Sequence, residues 1–183
     1  MKPRSSEQRY ETEGAPMGAP FFMAEKRNFD KWEPLIAAAL VKKFEGVSLE
    51  AYLCPAGIPT IGFGHTHGVQ LGTRIDPAQA DRYLTLDLEH TARALRPAVK
   101  VPVSRGEFIG LLSFAFNVGA HNAAGSSVVK FLNAGKPEAA ARAFLLWNKV
   151  STVETVDGEK VKRLVVSNGL TNRRKAESEA FLS

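Results

Sequence analysis

Between residues 45 and 66 the chain reads EGVSLEAYLCPAGIPTIGFGHT, placing Glu45, Cys54, Thr60 and His65 in one glycine-rich stretch. A carboxyl group partly withdrawn from water keeps its proton to higher pH than a free one, and can then act as a general acid. A deprotonated thiol can serve as a base, an electrostatic stabiliser or a nucleophile. A threonine hydroxyl can hold a water molecule but is too weak an acid–base group to activate it. The same residues also have plain structural readings: Glu45 as a solvated helix end, Cys54 as a small buried hydrophobe, Thr60 as an ordinary strand residue. Cys54, His65 and His67 could in addition supply three zinc ligands, because histidines two apart on a strand point the same way.

The flanking elements must position these groups. Trp32, Leu35, Ile36, Ala39, Leu40, Lys43 and Phe44 recur at helical spacing and predict a first helix over 32–45. Pro34 is tolerable in its first turn and Gly46 stops it, leaving Glu45 beside the start of the next element. Residues 49–74 combine frequent glycines with Tyr52, Ile58, Thr60, Ile61 and Phe63, which predicts a β lobe of two or three short antiparallel strands. An isolated GxG such as Gly62–Gly64 has no phosphate-loop meaning.

Residues 76–182 predict a helical lobe. Asp76-Pro77-Ala78-Gln79 and Ser104-Arg105-Gly106-Glu107 each resemble a capping box. The first opens a helix with the stripe Ala80, Tyr83, Leu84, Leu88, Thr91 and Leu95. The second opens one that is apolar over much of its circumference, as expected of a central helix. Short helices are predicted over 127–132 and from 137 to about 147, a hairpin or long loop centred on Val156-Asp157-Gly158-Glu159, and a last helix over 170–182. Phe108, Phe114, Phe116, Phe144 and Trp147 read as core, and Arg174 and Lys175 as solvent-facing. The fold class is α+β, a small antiparallel ribbon beside a mainly helical bundle.

The 183 residues suit one domain, placed at 30–183 and preceded by a polar tail over 1–29, with Phe21, Phe22 and Met23 able to tuck against it. The net charge of +5 favours an anionic partner, but no dense Lys/Arg block with interleaved aromatics is present, so nucleic acid is not expected. The single cysteine rules out an intramolecular disulfide. No apolar run reaches spanning or secretory length, so neither stable membrane insertion nor a signal peptide is expected.

The stretch FEGVSLEAYLCPAGIPTIGFGHT resembles the active-site signature of the phage-type lysozymes, the endolysin muramidases related to the bacteriophage T4 enzyme. In that family a glutamate is followed nine positions later by aspartate or cysteine and six further on by threonine. SFAFNVG at 113–119 and NGLTNRRKAESEAF at 168–181 resemble the core helix and the C-terminal arginine helix. The likeness covers about residues 32–182. It implies a lysozyme-like fold and hydrolysis of the β-1,4 bond between N-acetylmuramic acid and N-acetylglucosamine in peptidoglycan, without cofactor or metal.

Carried over by resemblance, Glu45 is the general acid, Cys54 stands where an aspartate often stands, and Thr60 orients the attacking water. Arg173 pairs with Glu45, so burial and arginine would act on that carboxyl in opposite directions. His65 pairs with Asp87 to fasten the ribbon to the bundle, and Asn117 either contacts substrate or caps a helix. The resemblance further implies a monomer that accumulates in the host bacterial cytoplasm. It would reach the periplasm and wall after a holin permeabilises the membrane. Two alternatives stay open: a lytic transglycosylase, which needs no activated water, and a wall-binding or virion structural protein on the same scaffold.

Overall fold

Pro34 fixes the backbone at the start of a 3-10 turn, Pro34–Ala37, and only from Ala38 does the chain relax into α1, Ala38–Phe44. The computed structural model, which describes residues 25–156 and 159–183, therefore has a shorter first helix than the expected 32–45. The tighter turn also resets the phase of the stripe. Ala37 and Val41 are buried, whereas Leu35, Ala39 and Lys43 face outward. Trp32 precedes the turn and anchors it, its indole N–H donating to the Val103 carbonyl at 3.1 Å.

Residues 25–29, inside the expected tail, take part in the fold. Arg27 pairs with Val103 in an antiparallel bridge, Lys26 reaches Glu107 at 2.8 Å, and Phe29 is a core residue packed on Phe108 with ring centroids 4.7 Å apart. Phe21, Phe22 and Met23 lie outside the described residues.

The β lobe holds two strands, β1 (Ser48–Leu53) and β2 (Pro59–Gly62), antiparallel with Tyr52 opposite Thr60 and an irregularity between Ser48 and Tyr52. Single bridges, Glu50 with Arg74 and Ile61 with His65, continue the ribbon. Its turn is closed by the Gly57 N–H donating to the Cys54 carbonyl at 2.8 Å, with Gly57 at φ +75°, a conformation costly for other residues.

The helical lobe follows as α2 (Pro77–Leu95), α3 (Arg105–Val118), α4 (Ala120–Ala124), α5 (Ser127–Asn133) and α6 (Pro137–Phe144). Asp76 caps α2 by accepting from the Gln79 N–H at 2.6 Å, but the Gln79 side chain accepts from Arg82 instead of reaching back, so that box is half made. The box at α3 is complete in both directions. Helix α6 ends at Phe144, short of the expected helix end near Trp147, and α4 had no sequence signal.

Helix α3 is the core: Phe108, Leu111, Leu112, Phe114 and Ala115 are all buried on it. Phe114 meets Phe144 and Trp147 edge-on, and Phe144 meets Phe181, so the expected aromatic core is present, with Phe116 packed at its margin. A second hairpin, β3 (Lys149–Val156) paired antiparallel with β4 (Glu159–Val166), occupies the segment read as a hairpin or loop. The chain closes with α7 (Asn168–Phe181), lying on α3. Gly106 and Gly110 allow that approach: a Cβ on Gly110 would stand 2.5 Å from the Glu177 carbonyl oxygen. No described helix is long and apolar enough to cross a membrane.

Candidate active site

Glu45 is the residue at which α1 ends. Its N–H still donates to the Val41 carbonyl, yet its own backbone is extended (φ −93°, ψ 130°), so the side chain sits at the junction between α1 and the β lobe. The side chain is 26% exposed, and its Oε1 accepts from Arg173 Nη1 at 2.5 Å. Arg173 is buried. Its Nε donates to Glu177 Oε1 at 3.0 Å and its Nη2 to the Ser113 carbonyl at 3.4 Å, so the guanidinium is held from three sides.

Glu177 is fully buried and also accepts from the Ser113 hydroxyl at 2.9 Å. Burial pushes its carboxyl above the ordinary range, and Arg174 and then Arg173 oppose that shift. Arg174 does not face solvent as its sequence context predicted. It is fully buried, with its guanidinium carbon 5.0 Å from the Phe114 ring centre and Nε 3.2 Å from Glu177 Oε2. Burial lowers its pKa to about 10. Its Nη2 donates to Asn117 Oδ1 at 2.5 Å, while Nε and Nη1 make no hydrogen bond among the described residues. Lys175 is exposed. The turn of helix explains the difference: residues 173, 174 and 177 share the face that meets α3, and 175 does not.

Cys54 is half-buried at the end of β1. The backbone N–H groups of Ile58 and Ala56, and more weakly the Thr60 hydroxyl, hold its thiol below the ordinary thiol pKa. Thr60 is only 3% exposed and donates to the Ile58 carbonyl at 2.9 Å. Its hydroxyl proton is given to the Ile58 carbonyl. Thr60 is thus withdrawn from solvent on the strand opposite the end of β1.

His65 Nδ1 lies 2.9 and 3.0 Å from the two Asp87 oxygens, and its ring stacks on Tyr83 at 4.2 Å. The ribbon is thereby tied to α2. Among the described residues no three His, Cys, Asp or Glu side chains group as metal ligands, so Cys54, His65 and His67 do not converge.

The phage lysozyme family matches residues 42–177, from the end of α1 into α7. The chain belongs to that family. The SAR-endolysin of Pseudomonas phage phiKMV is 37% identical over 156 residues, covering 82% of this chain and 92% of that protein. Among solved structures, the endolysin from Escherichia coli O157:H7 phage FAHEc1 is 40% identical with a TM-score of 0.66, covering 80% of this chain and 90% of its own. The muramidase domain of SpmX from Asticaccaulis excentricus is 32% identical with a TM-score of 0.70, covering 80% and 95%. Membership in the phage lysozyme family makes this chain a glycosidase of the endolysin type with the α+β lysozyme-like fold.

Within this phage lysozyme, the residues that sequence reading passed over are Ser113 and Glu177, which hold Arg173. A signal for Glu177 was present: it stands four positions after Arg173 and three after Arg174 on one helix. Nothing in the sequence marked Ser113, because its partner lies 64 positions away.

Proposed function

We propose that this chain is a muramidase that hydrolyses the β-1,4 bond between N-acetylmuramic acid and N-acetylglucosamine in peptidoglycan, with Glu45 as general acid. The observation that carries this reading is the placement of Glu45 at the lobe junction, partly exposed and oriented by a buried arginine. A carboxyl so placed can give its proton to the glycosidic oxygen as the C1–O bond breaks, so that the sugar leaves as an alcohol.

Water completes the reaction at C1 from the opposite face, and its proton needs an acceptor. The thiolate of Cys54, favoured by the Ile58 and Ala56 N–H groups and more weakly by Thr60, takes that proton and becomes the thiol. A net transfer of one proton from Glu45 and one to Cys54 leaves both to be reset by solvent. The family membership supports the polymer; Glu45, Cys54 and Thr60 as the acting residues are our assignment. We place the protein in the bacterial host, acting on the wall once a holin has opened the membrane, as a monomer.

A lytic transglycosylase would cleave the same bond without water and leave a 1,6-anhydro end. Product mass on purified peptidoglycan separates the two by one water. Reducing muramyl ends are expected, with Glu45→Gln lowering the rate about 10²–10⁴-fold, the usual worth of a positioned general acid. Anhydro ends would assign the chain to the transglycosylases, and binding without cleavage would reduce it to a scaffold.

A further inference from the structure

The second hairpin has the least support from the rest of the fold. Strands β3 and β4 pair along their whole length, from Lys149 with Val166 to the turn, yet among the described residues no helix packs along either face. A two-stranded ribbon of this kind is only marginally stable alone in water. Its apolar side chains are correspondingly uncovered: Leu164, Val153 and Val166 are 69%, 62% and 59% exposed.

Paired residues of an antiparallel ladder share a face, and alternate residues along a strand keep to it. Lys149, Ser151, Val153 and Thr155 of β3 therefore stand on one face with Lys160, Lys162, Leu164 and Val166 of β4. That face carries three lysines and no acid. Glu154 and Glu159 fall on the opposite face, where Glu154 pairs with Arg163 at 3.5 Å. At the base of the hairpin, Leu146 is 72% exposed and lines one groove with Leu164, so the apolar surface continues into the link from α6.

Lysines set among aliphatic side chains suit a partner that is anionic at its surface and hydrocarbon beneath. The hairpin has no Phe, Tyr or Trp on which a base could stack, which disfavours a single-stranded nucleic acid. A second copy laid face to face would set lysines against lysines, which disfavours a symmetric dimer. We propose that this face of the hairpin is a peripheral docking surface for an anionic phospholipid bilayer. Lys149, Lys160 and Lys162 meet lipid phosphates, while Leu146, Val153, Leu164 and Val166 enter the headgroup boundary. The contact is separate from the chemistry at Glu45 and holds whether or not the chain is a muramidase.

The test is co-sedimentation of the full chain with vesicles of phosphatidylethanolamine and phosphatidylglycerol, set against vesicles of phosphatidylcholine alone. Binding is expected to the first only, and to weaken as salt is raised. Lys160→Gln with Lys162→Gln should lower the affinity about 25-fold, at about fivefold per lysine near an anionic surface. Lys130→Gln with Lys136→Gln, which removes the same charge from exposed positions on and after α5, should lower it far less. Val153→Ser should cost severalfold and leave the salt dependence unchanged, because it removes only apolar contact. All these side chains are exposed, so melting temperatures close to that of the parent are expected and check folding.

In the unmodified protein, a paramagnetic lipid in the anionic vesicles should broaden the amide resonances of β3 and β4 before any others, a readout that needs no substitution. Broadening centred elsewhere overturns the proposal. Equal losses from the two lysine pairs also overturn it, since net charge and not this face would then hold the bilayer. So does the absence of sedimentation with the anionic vesicles. Tighter binding to single-stranded DNA than to vesicles, or a dimer in solution that Val153→Ser dissociates, would assign the face to another partner and overturn it as well.

Discussion

Glu45 and Arg173 stand 128 positions apart in the chain and 2.5 Å apart in the fold. The carboxylate comes from the end of α1 and the guanidinium from the first turns of α7, so this contact joins the two ends of the domain at the candidate site. Arg173 is buried and Glu45 is not, which means that the arginine is the fixed partner and the glutamate the one placed by it.

Arg173→Met should therefore damage both stability and activity. It leaves Glu177 buried without its strongest hydrogen-bond donor, a loss of about 3–5 kcal/mol for a broken buried ion pair. Chemical denaturation gives the first effect. Turbidity loss on wall preparations, measured where the variant is still folded, gives the second. A variant as stable as the parent would show that Ser113 and Arg174 suffice for Glu177.

The buried Glu177 makes a signed prediction about pH. Its folded pKa is raised above the ordinary carboxyl value of 4.5, so the folded state holds the proton more tightly than the unfolded state. The associated stability is fully present below pH 4.5 and is lost as pH rises through the folded value. The cost of Glu177→Gln should accordingly be largest at low pH and shrink as pH rises across that window. Melting curves of both proteins at matched pH check the sign. A cost that grows with pH would mean that the two arginines outweigh burial.

Cys54 should ionise at lower pH than a free thiol, because the Ile58 and Ala56 N–H groups and the Thr60 hydroxyl all favour the thiolate. The pH profile of iodoacetamide alkylation measures this. Thr60→Val should move that profile upward by a modest amount, since two backbone donors remain. If the profile does not move, Thr60 serves Ile58 alone.

Gly110→Ala should loosen α7 from α3. The added Cβ would lie 2.5 Å from the Glu177 carbonyl oxygen and 2.8 Å from Phe181 Cβ, and the backbone oxygen has little room to give way. Overpacking of this kind costs about 1–3 kcal/mol or more. Activity should fall further than stability alone explains, because the same shift carries Arg173 away from Glu45. Comparing residual activity well below the melting temperature with that of an equally destabilised variant distant from α7 separates the two effects.

The sequence alone determined what depends on neighbours in the chain. The helix starts at Asp76 and Ser104, the stop at Gly46, the glycine-rich ribbon and the apolar α3 all follow from local capping, backbone freedom and periodicity. The likeness around Glu45, Cys54 and Thr60 was legible for the same reason, since those residues lie in one short stretch. The phase of the first helix was misread because a proline-led 3-10 turn shifts the register by a fraction of a turn, which composition does not reveal.

Only the tertiary structure decided the fate of the charges on α7. A helix pattern shows that Arg173, Arg174 and Glu177 share a face, but not whether that face meets water or α3. Here two glycines of α3 bring the helices close enough to bury all three, and burial turns ordinary surface charges into a coupled network reaching from Glu45 to Asn117. Electrostatic consequences of that size depend on which distant groups exclude solvent, and that is a property of the packed molecule.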